Sequence, residues 1–186
     1  MDTLAPTPSV DALRRRIGWL CQTLRFAAVA YALWVFALLA MHWGNAADVT
    51  RAYSHLLKTD LLVVPAPQRA GGFLLHMIPW ALIVLTCWNL WTLFSGFLAG
   101  RVFTVDAALT LRRLALAGLA AEAADMALRP ILSILVTLHM PPGSRHVGFF
   151  FQTDDLLNLM FLGGLFALAQ VFKVAAEIAE DNAAIV

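Results

Sequence analysis

Charge is scarce in this chain of 186 residues. Asp, Glu, Lys and Arg make up 13% of it, where a soluble domain carries about 25%. Cysteine is scarcer still, with only Cys21 and Cys87, and two cysteines cannot build a disulfide scaffold. Neither sign of charge is in excess: 13 basic residues against 12 acidic give +1. No bulk field exists for nucleic acid, so direct nucleic-acid binding is not expected. The phosphate-loop, GxGxxG, HExxH, CxxC and GxSxG patterns are all missing. The sequence therefore gives no ground for an enzyme or a cofactor.

Apolar residues are what the chain has. They make up 61% of it, and the mean hydropathy is +0.76. A globule this small could not hide so much apolar surface from water, so the expected solvent and first partner is a lipid bilayer. Charge-free runs mark the spans. They cover Phe26 to Ala47 (22 residues), Ala70 to Gly100 (31 residues) and Leu156 to Phe172 (17 residues). A crossing helix needs about 20 apolar residues. The first run is too long for the apolar region of a cleaved signal peptide, so no cleavage is expected.

A fourth candidate runs from Arg112 to Leu138, apolar except for Glu122, Asp125 and Arg129. Three charges near a helix centre cost roughly 9 kcal/mol on the insertion scale, and the strong apolar residues return roughly 4–5. Such a helix inserts only with help from neighbours or with its charges neutralised. Counting it, the expected fold is all-α: a polytopic four-transmembrane-helix bundle, 1–186 as one domain, with spans at about 17–41, 73–99, 112–138 and 155–176. Trp19, Trp43 and Trp80 fall at expected interfaces.

Basic residues set the orientation. With the N-terminus inside, Arg14, Arg15, Arg16, Arg25, Arg101, Arg112, Arg113 and Lys173 are cytoplasmic, and Arg51, Lys58, Arg69 and Arg145 are outside. The bias places both termini in the cytoplasm. In the first outer loop, Val49, Tyr53, Leu56 and Leu57 recur at helical spacing opposite Arg51, His55 and Lys58. They form an amphipathic helix, lying on the membrane surface or packed on the ends of the bundle. In the inner loop Thr104 is placed to cap a helix, with Asp106 in its first turn. Thr153, Asp154 and Asp155 do the same for the last helix.

The third span carries the candidate site. Glu122, Asp125 and Arg129 share one helical face, which Ala115, Gly118 and Ser133 extend. That face must point into the protein or at water. Asp125 and Arg129 are spaced for an intrahelical pair, which leaves one carboxylate in excess, either protonated, wet or paired elsewhere. His76 is a candidate partner for it or a pH sensor. The stripe reads either as an ion or solute path or as a charge cluster that fixes helix packing. Weaker polar stripes, Thr86, Asn89 and Gly96 on the second span and Gly163, Ala167 and Gln170 on the last, read as packing surfaces. Trp88 and Trp91 read as packing or interface residues. His139 and His146 share a loop but lack a third ligand, so no metal is expected.

Two stretches, GRVFTVDAALTLRRLA from Gly100 and LALAQVFKVAAEIAEDNAAIV from Leu165, resemble the bacterial membrane family called domain of unknown function 2975. The resemblance implies four helices in the bacterial inner membrane, with both ends inside. It also implies a small helix-turn-helix regulator as a candidate cytoplasmic partner, and no active site. Three functions stand as expectations: a regulatory or sensory membrane component acting through a cytoplasmic partner, a small ion- or solute-handling protein using the polar face of the third span, or an accessory subunit of a larger membrane complex; a homo-oligomer or such a complex is the expected assembly.

Overall fold

The computed structural model describes residues 10–141, 143, 145 and 147–184, and side chains for 18–141, 143, 145, 147–178 and 181. Pro142, His146 and the side chains of Arg14, Arg15 and Arg16 lie outside the described residues. The described chain is helical, with no strand: α1 Val10–Gly44, α2 Ala46–Leu57, α3 Ala66–Leu98, α4 Val105–Thr137 and α5 Thr153–Ala184. α1, α3 and α5 each begin before the charge-free run that announced them, and α5 also ends beyond its run. A charged residue near an end does not stop a helix, because its side chain can reach back to the interface.

Three helices are long and apolar enough to cross a membrane: Gly18–Gly44, Ala66–Leu98 and Thr153–Ile178. They expose large apolar side chains, including Leu33, Trp34, Leu74, Phe161 and Val171, as lipid-facing helices do. The fourth long helix, α4, is different. It carries the midchain charges and is the most buried of the set. Small residues on it, Ala107, Ala108, Ala115, Ala117, Gly118 and Ala121, are buried. They let neighbouring backbones approach closely.

The arrangement is an open one. α3 and α4 pack along each other, α1 packs on α3, and α5 packs on α4. Among the described residues α1 approaches neither α4 nor α5, and α3 does not approach α5. The expected bundle is thus a curved row of four helices, and its unclosed side leaves a cleft between α1 and α5.

Local chemistry fixes the turns. Gly100 takes a φ of 85° after α3, which a glycine adopts without strain. This lets the N–H groups of Gly100 and Arg101 donate to the carbonyls of Phe97 and Gly96, both at 3.0 Å. The Thr104 hydroxyl then accepts from the Ala107 N–H at 3.2 Å, with Asp106 in the first turn, as the sequence predicts. Asn45 caps α2 by accepting from the Ala47 and Asp48 N–H groups. Pro65 precedes α3 as its cap and Pro67 lies in its first turn, where a missing N–H costs nothing.

α2 packs on the end of the bundle, the second of the two placements expected for it. Val49 and Val64 are fully buried with Trp43, Leu128, Leu132 and Val136, while Leu56 stays 40% exposed. Two of the tryptophans expected at interfaces have packing roles within the protein. Trp43 is buried in this cluster, and Trp80 donates from Nε1 to the Ala32 carbonyl of α1 at 3.1 Å. Trp19 is exposed. Trp88 is exposed, and Trp91 lies under the Arg25 guanidinium and edge-on to Phe26. The Gly163 stripe is corrected as well: nothing lies within 4 Å of the place a Gly163 side chain would take, Ala167 is exposed, and among the described residues Ala169 and Ala176 are the buried small residues of α5.

A candidate ligand cleft beside a buried charge cluster

Arg129 organises the site. Its side chain is 16% exposed, and every one of its five N–H donors has an acceptor. Nε and Nη2 donate to Asp125 Oδ2 at 3.0 and 2.9 Å. Nη2 and Nη1 donate to Asp155 Oδ1 and Oδ2 at 2.7 and 2.6 Å. Nη1 also donates to the Phe150 carbonyl at 3.0 Å. A planar fork of five donors is what makes arginine able to hold two carboxylates at once. The expected Asp125–Arg129 pair is present, and α5 completes it.

Asp155 reaches Arg129 because of where α5 begins. Its Oδ2 accepts from the Gln152 N–H at 2.7 Å, and its own N–H donates to the Gln152 carbonyl at 3.1 Å. The residue therefore caps the helix start, as the sequence suggests, and neutralises α4 as well. The preceding loop is tied down one turn further along α4, where the Gly148 N–H donates to Ser133 Oγ at 2.9 Å.

α4 and α5 run antiparallel, and their contacts keep one register. Gly118 meets Leu162, Glu122 meets Asn158, and Asp125 shares Arg129 with Asp155. Each step of three or four residues up α4 is matched by an equal step down α5. Glu122 accepts from Asn158 Nδ2 at 3.3 Å, and no lysine or arginine lies within ion-pair distance of it among the described residues. The excess carboxylate of the sequence reading is thus Glu122, with an amide partner on α5.

His76 does not pair with it. His76 Nδ1 donates to the Gly72 carbonyl of its own helix at 2.9 Å, and its ring lies against Trp43. A carbonyl accepts only, so the neutral ring keeps its proton on Nδ1. His76 nevertheless faces the same cleft as Glu122 and Asp125.

That cleft has a volume of about 590 Å³, within the range of small-molecule sites. α1 contributes Leu24, Ala27, Tyr31, Val35 and Leu39, and α3 contributes Pro79, Trp80, Thr86, Cys87 and Leu90. α4 supplies Leu114 and Ala121 beside its two carboxylates, and α5 supplies Asn158. Thr86, expected to pack helices, lines this wall instead, its hydroxyl donating to the Leu82 carbonyl at 2.8 Å. Cys87 is a free thiol on the same wall, and Cys21 is buried and also free.

Near the cluster, in α2, burial pushes the Tyr53 phenol well above its ordinary range, and the Asp125 carboxylate adds to the shift. Among the described residues no three His, Cys, Asp or Glu side chains gather as metal ligands. His139 Nε2 donates to the Leu62 carbonyl at 3.2 Å. Asp155 and Asn158 are the site residues that sequence reasoning missed. Their signal was a polar pair at helical spacing facing the polar pair Glu122 and Asp125 across an antiparallel turn. Comparison with known protein families, with characterised proteins and with solved structures gives no match.

Proposed function

We propose that this is a small-molecule-binding protein of the bacterial inner membrane, without catalytic activity, whose ligand site is the cleft between α1 and α5. In this reading α4 is the third of four spans and both ends are cytoplasmic. The observation that carries the function is that Glu122 and Asp125 line one open, largely apolar cleft, and that Arg129, already donating to Asp125, Asp155 and the Phe150 carbonyl, has no donor left for Glu122. A charge cluster serving packing alone has no need of a drug-sized space beside it. The solute-handling reading is therefore preferred to the accessory-subunit reading.

The same cluster supports the fourth span. Its arginine is neutralised by two carboxylates and its five donors are satisfied, which removes most of the penalty that three bare charges would impose. Reporter fusions after residues 60, 106, 146 and 186 should read outside, inside, outside, inside. A C-terminal reporter on the outside would remove α4 from the membrane. For the ligand site, the test is small-molecule retention by the full-length protein in nanodiscs, read by native mass spectrometry. Ala27 lies exposed on the cleft wall, so Ala27→Trp should fill the cleft and abolish retention. Equal retention by both forms would sink the reading.

A second reading is supported by the exposed Arg101, Arg112 and Arg113 grouped about the α3–α4 turn. They offer a basic surface to a cytoplasmic partner, and the resemblance to domain of unknown function 2975 suggests a small helix-turn-helix regulator. Ligand occupancy of the cleft would then be the sensed signal. Membrane recruitment of such a regulator that vanishes in a triple alanine variant at these arginines would support it.

A further inference from the structure

We infer that the ligand of this cleft is a hydrophobic organic monocation, an amine, quaternary ammonium or phosphonium carried on an apolar body. The inference rests on the reading of the cleft as a ligand site and adds the chemistry of the occupant.

The cleft has two unlike ends. At one end lie Glu122, Asp125, His76 and Asn158, and at the other Leu24, Leu90 and Leu114. Leu114 stands two turns of α4 below Glu122, about 12 Å along the axis. A ligand that fills the cleft must therefore be polar at one end and apolar over the rest.

Charge decides the sign of the polar end. Three carboxylates, Glu122, Asp125 and Asp155, stand around one guanidinium, and that guanidinium is spent on two of them and on a carbonyl. Glu122 accepts from the Asn158 amide at 3.3 Å and stands within hydrogen-bonding reach of Asp155, with no ion-pair partner among the described residues. An anionic ligand would meet like charge and find no free donor from Arg129, whereas a cation completes the set. Tyr31 and Trp80 also line the cleft, and aromatic faces attract organic cations. A hard metal ion is a poorer match, since it asks for six or more oxygen ligands. A membrane phospholipid is poorer too, since even a zwitterionic headgroup brings a phosphate toward the carboxylates.

Tetraphenylphosphonium and tetraphenylborate share one shape and differ in the sign of their charge, which makes them the discriminating probes. Binding is measured to the full-length protein in phosphatidylcholine nanodiscs, with empty nanodiscs subtracted. Saturable phosphonium binding is expected, with no saturable borate binding. Glu122→Gln keeps the acceptor for Asn158 and the side-chain shape, and should weaken phosphonium binding at least tenfold. Equal binding of the two probes by the wild-type protein overturns the inference without any variant. So does phosphonium binding that Glu122→Gln leaves unchanged. If neither probe binds, the cation class is wrong. A neutral molecule retained by the wild-type protein and lost in Ala27→Trp would then leave the cleft standing as a ligand site.

Discussion

Arg129 of α4 closes on Asp155 of α5 through both terminal nitrogens, Nη1 to Oδ2 at 2.6 Å and Nη2 to Oδ1 at 2.7 Å. The bidentate bond joins residues 26 apart in sequence and fixes where α5 starts against α4. Its partner on the other side, Asp125, is 41% exposed, while the Asp155 side chain is only 3% exposed. The two carboxylates therefore lose different things when the arginine goes. Asp125 can turn toward the open cleft, whereas Asp155 is left buried without a counter-charge.

This difference makes a prediction. Removing one partner of a buried charge pair costs about 3–5 kcal/mol, while replacing both by apolar residues is often neutral. Arg129→Leu should sharply reduce detergent-stable folded protein. Adding Asp155→Leu should recover much of the loss, and adding Asp125→Leu should recover less. Folded yield by fluorescence-detected size-exclusion chromatography reads all the variants. Equal rescue by the two second substitutions would show that burial of Asp155 does not set the cost.

Much of this site was legible in the sequence. Glu122, Asp125 and Arg129 had to share a face, and a charged face had to turn inward. Thr104 and the amphipathic pattern around Val49 and Tyr53 announced a cap and a short helix from local spacing alone. Asp155 was legible only as a capping residue, because helical periodicity says nothing about which helix faces which. The open row of helices was illegible for a related reason. α1, α3 and α5 are apolar on nearly every side, so no stripe tells the neighbour-facing surface from the lipid-facing one. The cleft is a product of that arrangement and has no local signature.

Tyr53 gives the alkaline limb of stability. Its folded-state value lies above the ordinary 10.0 because of burial and the nearby Asp125. As pH rises past 10, the unfolded chain releases the phenolic proton while the folded chain keeps it. The unfolded state then binds fewer protons, so stability falls with pH across that window. Melting temperatures between pH 9 and 11 should decline, and Tyr53→Phe should flatten the decline. An identical slope in both proteins would show that Tyr53 is not responsible.

Arg69 closes the end of α1. Nη1 donates to the Trp43 carbonyl at 3.2 Å and to the Gly44 carbonyl at 2.7 Å, two of the orphan acceptors every helix C-terminus leaves. A cation also suits that end of the helix dipole. Hydrogen bonds to charged groups contribute about 1.5–3 kcal/mol, and partial exposure should bring Arg69→Met to the low end of that range. Arg69→Lys should recover part of the loss, since it restores the charge but not the fork. Thermal unfolding in one detergent, with the three proteins side by side, provides the comparison.

Two glycines separate the packed side of the protein from the open one. The Trp43 indole lies directly over Gly72, so a methyl group there would fall within the ring. Trp43 cannot swing away easily, because it is 3% exposed and wedged among Val49, Val64 and Leu128. Gly72→Ala should cost about 1–3 kcal/mol, the usual range for overpacking a filled core. Gly163 sits mid-helix in α5 with nothing within 4 Å of the place a methyl would take. Glycine in a helix interior is roughly 0.5–1 kcal/mol worse than alanine, so Gly163→Ala should leave stability unchanged or raise it. The melting temperatures of the two alanine variants should move in opposite directions from the wild-type value. If Gly163→Ala destabilises instead, the open face of α5 must be covered in the folded protein, by a second copy or another membrane subunit. Chemical crosslinking through a cysteine placed at 163 would then capture that neighbour.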